Sequence, residues 1–72
     1  MKLLIFRTDI KTKKKVKSLK PILKNQSTIT EWTVDTEDID NVLRIEAKET
    51  LTEKEVIHLL KKNGYYCEPL LD

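Results

Sequence analysis

The sequence predicts an α+β plait, in which two helices cover one face of a four-stranded antiparallel sheet. Short runs of apolar and β-branched residues alternate with two stretches of helical periodicity, in the order strand, helix, strand, strand, helix, strand. That order is typical of two split βαβ units. The 72 residues, of which 39% are hydrophobic and 36% charged, suffice for one small core and predict a single domain over 1–72.

The first half of the chain supplies one strand and one helix. Leu3–Phe6 is a continuous apolar run, typical of a central strand. Thr12 is a suitable N-cap for the following helix, and Asn25 is a suitable stop. Pro21 lies on the outer side of that helix and removes the hydrogen bond to the Lys17 carbonyl, so we expect a bend or an early end there. The apolar stripe of the helix comprises Val16, Leu19, Ile22 and Leu23.

Two β-rich runs follow and predict a hairpin. The sequence DTEDIDN, Asp35–Asn41, separates them, and its Asp and Asn residues favour turns. The tip of the hairpin is therefore acidic. The two runs contain Ile29, Trp32 and Val34 before the tip, and Val42, Leu43 and Ile45 after it.

The second helix has clear signals at both ends. Thr52 and Glu55 have the spacing of a capping box, and Leu51 and Val56 have the spacing of the matching hydrophobic staple. Gly64 is the only glycine and can adopt the left-handed conformation that ends a helix. The buried side of this helix should comprise Val56, Ile57, Leu59 and Leu60.

The chain closes with a predicted strand, Tyr65–Leu71, in which Pro69 indicates a sheet edge. Because βαβ crossovers are right-handed, we expect a ferredoxin-like sheet with strand order 4-1-3-2 and both helices on one face. In that layout three connections meet at one end of the sheet: Arg7–Lys11, Asp35–Asn41 and the turn at Gly64. We expect any functional site at that end.

The chain resembles the heavy-metal-associated domains of copper chaperones, mercury-binding proteins and metal-pumping ATPases. The similarity extends over nearly the whole chain and includes Val16 and Leu19, the run W-x-V-D at Trp32–Asp35 and the run NGYYCE at Asn63–Glu68. The resemblance implies the ferredoxin-like fold. In that family the motif M-T-C-x-x-C follows strand one, and alignment on Val16 places Arg7–Thr12 there.

Asp9 and Thr12 stand where the two cysteines of the family motif would be. Cu(I) and Hg(II) prefer thiolates, whereas a carboxylate and a hydroxyl offer hard oxygen ligands. The soft-metal transport that the family implies therefore does not carry over to this loop, and we expect no bound cofactor. Instead, we expect Asp9 and Thr12 to accept hydrogen bonds from the N–H groups at the start of helix one.

Other metal ligands are present but are poorly arranged for a site. Cys67 occupies a strand position that predicts a small, buried side chain, and a metal or redox role would need a partner such as His58, which lies on the wet face of helix two. The acidic tip lacks the spacing of a calcium loop, which predicts a solvated turn. The candidate ligands of a divergent metal-binding protein are Asp9, Cys67, Asp35, Glu37 and Asp38.

Lysines form the most ordered polar pattern of the chain. Seven lysines lie between Lys11 and Lys24, although the net charge is only +2. Five of them occupy an arc of about 120° beside the buried stripe of helix one. Such a surface favours an acidic protein partner, and nucleic acid is the weaker alternative because the strands lack the exposed aromatic pairs of RNA-binding sheets. The five are Lys13, Lys14, Lys17, Lys20 and Lys24.

Strand one also predicts an apolar area on the helix-free face of the sheet. Alternation places either Leu3 and Ile5 or Leu4 and Phe6 on that face, beside Val42. A homodimer or a docked partner could cover it.

The sequence lacks catalytic motifs, a long apolar segment and a second cysteine, and these absences limit the expected function. No nucleophile lies beside a base and one glycine cannot form a phosphate loop, so we expect no enzyme. The initial run MKLLIF is too short for a signal peptide or a membrane span, so we expect no membrane partner, and the single cysteine makes the cytoplasm the expected location. The main hypothesis is a protein-interaction module derived from a metal-binding domain, followed by a divergent metal-binding protein and then by a nucleic-acid binder.

Overall fold

The computed structural model describes residues 1–70 and has the predicted order of elements. Four antiparallel strands form one sheet, and the two helices lie on one face of it, so the predicted ferredoxin-like plait is confirmed. The elements are β1 (Lys2–Thr8), α1 (Lys13–Lys24), β2 (Ile29–Asp35), β3 (Val42–Ala47), α2 (Glu53–Lys62) and β4 (Cys67–Pro69).

The sheet has the order β2-β3-β1-β4, which confirms the predicted order 4-1-3-2. The central strands β1 and β3 pair from Lys2 opposite Ala47 to Phe6 opposite Leu43. The edge strand β4 pairs only with the last three residues of β1, and its Pro69 lies at the sheet edge as predicted. The opposite edge is β2, which is seven residues long.

The strand boundaries differ from the predicted ones where polar residues join the ladder. β1 extends beyond Leu3–Phe6 because Arg7 and Thr8 pair with β4. β2 includes Asp35, which pairs with Val42, so the tip is one residue shorter than predicted. β4 is shorter than the predicted strand Tyr65–Leu71. The N–H groups of Tyr65 and Tyr66 donate to the Leu60 carbonyl and to Asp9 Oδ1, so these two residues do not join the ladder. Leu71 lies outside the described residues.

The structure also decides which face of β1 is buried. Leu4 and Phe6 point into the core beneath the helices, whereas Leu3 and Ile5 lie on the helix-free face. Leu3 is 55% exposed there. Val42 shares this open face, because its neighbours Leu43 and Ile45 alternate into the core.

Helix α1 begins at its predicted cap and passes through its proline. The Thr12 Oγ1 accepts a hydrogen bond from the Lys15 N–H at 3.2 Å. Of the two outcomes expected at Pro21, the early end is wrong, since the helix continues to Lys24 and its C-cap is Asn25, and the bend stays a prediction. The proline ring lies on the exposed side, and the Pro21 carbonyl still accepts a bond from Asn25 N at 3.3 Å, so the helix resumes after one lost bond.

Helix α2 shows the predicted caps at both ends. The Thr52 hydroxyl accepts from Glu55 N at 3.3 Å, which is the N-cap half of the capping box. At the other end Gly64 has φ +87°, and Tyr65 N donates to the Leu60 carbonyl at 2.9 Å. Together with the bond from Gly64 N to the Lys61 carbonyl at 3.0 Å, this is a Schellman motif.

Neither helix within residues 1–70 is long and apolar enough to cross a bilayer, which takes about 20 residues.

The core lies between the sheet and the two helices. The buried cluster comprises Leu4, Phe6, Ile10, Leu19, Leu23, Leu43, Ile45, Ala47, Leu51, Val56, Leu60 and Cys67.

Cys67 is part of this core, and His58 lies exposed on the outside of α2 as predicted. Burial raises the pKa of the Cys67 thiol to about 12, because a thiolate in the apolar interior loses its hydration; the ammonium of Lys61 offsets this in part. Cys67 is therefore a protonated, unreactive core side chain at neutral pH.

Replacing Gly64 by Ala should lower the free energy of unfolding by about 1–2 kcal/mol, because a Cβ is unfavourable at positive φ. Apart from the neighbouring residues in the chain, no heavy atom of residues 1–70 lies within 4 Å of the added Cβ, so the loss comes from the backbone. Urea denaturation measures it. Gly64→Asn should lose less, and Lys62→Ala on the exposed face should change stability by under about 0.5 kcal/mol. Equal stability of Gly64→Ala and the parent would contradict the left-handed cap.

The raised pKa of Cys67 predicts a pH-dependent stability. Between about pH 9 and 12 the unfolded thiol is ionised and the folded thiol is not, so the free energy of unfolding should fall by about 1.4 kcal/mol per pH unit through this group. This contribution is fully present below about pH 8. Denaturation of the parent and of Cys67→Ala from pH 7 to 10.5 isolates it, since lysines and tyrosines titrate in both proteins. Parallel stability curves would show that the thiol ionises freely in the folded state.

Candidate functional site

The three connections predicted to gather at one end of the sheet do meet there. Thr8 N donates to the Asp40 carbonyl at 3.1 Å, which joins the end of β1 to the hairpin tip. Tyr66 N donates to Asp9 Oδ1 at 3.1 Å, which joins the loop after β1 to the turn after α2. This end of the molecule is where the resemblance places the metal loop.

A buried pair of polar residues, Thr8 and Asn41, closes this end. The Thr8 hydroxyl donates to the Asn41 carbonyl at 2.6 Å and accepts from Ile10 N at 3.2 Å. The Asn41 Nδ2 donates in turn to the Thr8 carbonyl at 3.5 Å. Asn41 has φ +46°, a left-handed conformation that asparagine tolerates better than most residues. We call these contacts the Thr8–Asn41 pair.

The loop between β1 and α1 follows the core rather than leaving it. Ile10 is fully buried in the hydrophobic cluster although it lies in this connection. Thr12 caps α1 as predicted. The predicted capping role of Asp9 at α1 is wrong, because its carboxylate accepts from Tyr66 N, beyond the end of α2. The side chains at both positions that correspond to the family's cysteines thus accept hydrogen bonds from backbone N–H groups.

The candidate metal ligands are not brought together. Within residues 1–70 no group of three or more His, Cys, Asp or Glu side chains is placed to hold a metal ion. Cys67 pairs with Thr8 across the ladder and faces the core, whereas Asp9 turns toward Tyr66. The roles proposed for Asp9, Cys67, Asp35, Glu37 and Asp38 as ligands stay predictions.

The acidic tip uses its carboxylates to order its own backbone. Asp35 Oδ1 accepts from Glu37 N at 3.1 Å and from Asp38 N at 3.2 Å. Asp38 Oδ1 accepts from Asp40 N at 2.9 Å. These are Asx-type contacts, in which the side chain replaces a backbone acceptor in the turn.

Arg7 connects the tip to the edge strand. Its Nε lies 3.0 Å from Asp40 Oδ1, and its Nη1 lies 3.1 Å from Glu68 Oε1. All three side chains are partly exposed, so each ion pair adds little stability and the set mainly orients the side chains on the open face. Next to it, hydrogen bonding with Glu68 raises the pKa of the Tyr66 hydroxyl.

The predicted lysine surface lies fully on the outside of α1. We define the lysine face as Lys13, Lys14, Lys17, Lys20 and Lys24, all of which are exposed. No acidic residue occurs in α1, and no lysine of residues 1–70 forms an ion pair within that part of the chain. The first turn places Lys13, Lys14 and Lys15 at the positive end of the helix dipole, which is unfavourable for stability.

A groove that the sequence did not reveal separates α1 from the edge strand β2. Its volume is about 430 Å³. Leu23, Ile29 and Trp32 form the apolar part, and two members of the lysine face, Lys20 and Lys24, line it as well. Thr30 completes the lining, and its hydroxyl donates to the Glu46 carbonyl at 2.9 Å.

The helix-free face of the sheet carries little apolar surface. Leu3 and Ile5 lie directly opposite Glu46 and Arg44 of β3, so charged side chains interrupt the apolar patch. The homodimer predicted through this face stays a prediction.

Sequence reasoning missed Thr8 and Asn41, although one signal pointed to them. Leu4, Phe6 and Thr8 alternate toward the core, and a hydroxyl at a buried strand position needs a hydrogen-bond partner. That partner lies 33 residues away in the sequence, and only the hairpin brings it close.

Solved structures with this fold include proteins of metal homeostasis. One structure, described under the words "Crosstalk between Cu(I) and Zn(II) homeostasis", superposes with a TM-score of 0.82. Its sequence identity is 8%, and the superposition covers 97% of this chain and 100% of that chain. A second, the CsoZ metallochaperone, superposes with a TM-score of 0.75, at 15% identity, over 93% of this chain and 96% of that chain.

No protein-family model matches the chain, and no curated protein matches its sequence. At these identities the structural likeness establishes the fold alone. That fold is the ferredoxin-like plait, which is the fold implied by the resemblance.

Proposed function

We propose that this chain is a non-catalytic interaction module that binds an acidic protein through the lysine face of α1. The observation that carries the proposal is the uncompensated charge of that helix. Six lysines occur in 12 residues with no acidic neighbour in the helix, and none has an ion-pair partner within residues 1–70. An acidic surface would relieve the repulsion among these lysines on binding.

The arrangement of charge favours a protein partner over nucleic acid. The net charge is +2, and the acidic tip lies at the end of the sheet where α1 begins. Trp32 and Tyr65 are half-buried against the core, and the exposed Tyr66 lies at the opposite edge of the sheet from Trp32, so the sheet lacks an adjacent pair of exposed rings on which bases could stack.

A divergent metal-binding protein is the second candidate. The fold shared with the CsoZ metallochaperone is what favours it. The structure gives it little support at this loop, because Asp9 Oδ1 and Thr12 Oγ1 already accept hydrogen bonds from Tyr66 N and Lys15 N, and within residues 1–70 no group of three or more His, Cys, Asp or Glu side chains is placed to hold a metal ion. In the proposed module the loop after β1 is a structural connection.

Reversing two charges of the lysine face should weaken binding of an acidic polypeptide. We expect Lys17→Glu with Lys20→Glu to reduce the affinity for a 20-residue poly-L-glutamate at least tenfold, a loss of about 1.4 kcal/mol. Fluorescence anisotropy of the labelled peptide at 50 mM salt measures this, and higher salt should weaken the parent complex.

Lys48→Glu with Lys54→Glu makes the same change in net charge away from the lysine face and should reduce affinity less than threefold. An equal loss in both double variants would mean that net charge alone drives binding. Tighter binding of a 20-base DNA than of poly-L-glutamate would replace the proposal by the nucleic-acid alternative.

Metal titration separates the two candidate functions. We expect micromolar Cu(I), Zn²⁺ and Ca²⁺ to cause no saturable amide shifts at Asp9, Thr12 or the hairpin tip in NMR spectra. Asp9→Cys with Thr12→Cys restores the C-x-x-C spacing and should bind Cu(I), which controls for the ability of the fold to accept the metal. Saturable shifts centred on Asp9 in the parent protein would favour the metal-binding candidate.

A further inference from the structure

We infer that the edge strand β2 and the groove beside it form a docking site for an extended acidic peptide, which adds to the sheet as a fifth strand. This inference rests on the proposed function, because it specifies the form of the acidic partner. It also predicts main-chain pairing, which docking by charge alone does not require.

The backbone of β2 is available for regular pairing from Glu31 to Asp35, beyond an irregularity of register between Ile29 and Glu31. In an antiparallel ladder alternate residues direct their N–H and C=O groups away from the neighbouring strand, and β2 has only β3 beside it within residues 1–70. Of the features that commonly protect sheet edges, proline and lysine are absent from its sequence ITEWTVD, and the irregularity of register is confined to its start, between Ile29 and Glu31. The other edge, β4, is three residues long and ends at Pro69. The two edges thus differ sharply in how well they could accept a new strand.

The groove supplies a surface for the side chains of an added strand. On the helix side such a strand would lie over the apolar part of the groove, beside Trp32 and Ile29. Lys20 and Lys24 line the same groove and could bind carboxylates there. Apolar and acidic side chains on this side of the peptide therefore match what the groove presents.

The lysine face is long enough for several such contacts. Lys13, Lys17, Lys20 and Lys24 lie within about 60° of one another around α1, and span about 17 Å along its axis. The seven residues of β2 span about 20 Å. Neighbouring lysines of this row are about 4.5–6 Å apart along the helix, close to the spacing of about 6.6 Å between alternate residues of a strand.

The opposite side of the added strand meets a different surface. Glu31, Thr33 and Asp35 lie on the helix-free face, as their partners Glu46, Arg44 and Val42 do. Acidic residues on that side of a peptide would be repelled. The fitting peptide thus alternates acidic or apolar residues with neutral or basic ones, which is a pattern that a uniformly acidic segment lacks.

Charge argues against a second copy of the chain as the occupant. Pairing β2 with β2 of another copy around a twofold axis would place the two α1 helices side by side on the same face of the joined sheet. Two lysine faces would then meet, and the acidic residues of β2 would also approach their counterparts. An acidic strand from another protein faces neither repulsion.

The test uses the whole chain and a synthetic peptide, Ac-TDTVTDTVTD-NH₂, with a control peptide of the same composition in block order. We expect the alternating peptide to bind at least tenfold more tightly. Hydrogen exchange of amides in β2 should slow on binding, and Lys20→Glu with Lys24→Glu should abolish this protection. Lys48→Glu with Lys54→Glu should retain it.

Methylation of peptide nitrogens tests the main-chain pairing directly. Two versions of the peptide carry N-methyl groups on one or the other set of alternate residues in its central part. One version should lose at least tenfold in affinity and the other less than threefold, because only one set faces β2.

Equal affinity of both methylated versions and the parent peptide would overturn strand addition. If binding still required Lys20 and Lys24, the proposed interaction function would stand without it. If no acidic probe bound in a lysine-dependent manner, both would fall. A doubled mass in light scattering, with β2 amides protected in the absence of peptide, would identify a second copy as the occupant and also overturn the inference.

Discussion

The end of the sheet that carries the loop after β1 depends on one buried contact, the hydrogen bond of 2.6 Å from the Thr8 hydroxyl to the Asn41 carbonyl. Both residues are buried, so leaving either polar group unpaired would cost about 1–3 kcal/mol. The contact therefore requires Asn41 to hold its left-handed conformation and Thr8 to hold the start of the loop. Ile10 then enters the core through its bond to the same hydroxyl.

The loop after β1 uses two of its side-chain oxygens in hydrogen bonds to the backbone. Asp9 Oδ1 accepts from Tyr66 N, and Thr12 Oγ1 accepts from Lys15 N. The likeness to metallochaperones therefore lies in the chain path and the sheet order, while the chemistry of the loop is that of a helix cap and an inter-loop contact.

The sequence predicted well the features that arise from neighbouring residues. The N-caps at Thr12 and Thr52 and the Schellman motif at Gly64 depend on residues within one or two helical turns, so local patterns identify them. The order of strands followed from handedness. The helix does not end early at Pro21, because an exposed ring removes only one hydrogen bond and the buried Leu19 and Leu23 on either side hold the helix against the core.

Local sequence patterns could not predict contacts between residues that are far apart in the chain. Asp9 was assigned to α1 because that helix is its neighbour in sequence, yet its carboxylate accepts from Tyr66, 57 residues later. The groove between α1 and β2 likewise exists only because the helix lies against an edge strand. The helical period alone predicts the lysine face. The tertiary structure was needed to show that Lys20 and Lys24 line the groove.

The acidic residues of the hairpin tip and the lysines of α1 differ in whether they have partners within the fold. Asp35 and Asp38 of the hairpin tip order their own turn, and Asp40 pairs with Arg7. The lysines of α1 have no such partners within residues 1–70, and three of them oppose the helix dipole. A stable fold does not need this arrangement, because substituting these exposed positions by neutral residues would remove repulsion without touching the core. In the proposed module an anionic surface against these lysines would relieve their repulsion, and their position beside the edge strand β2 would favour an extended acidic chain.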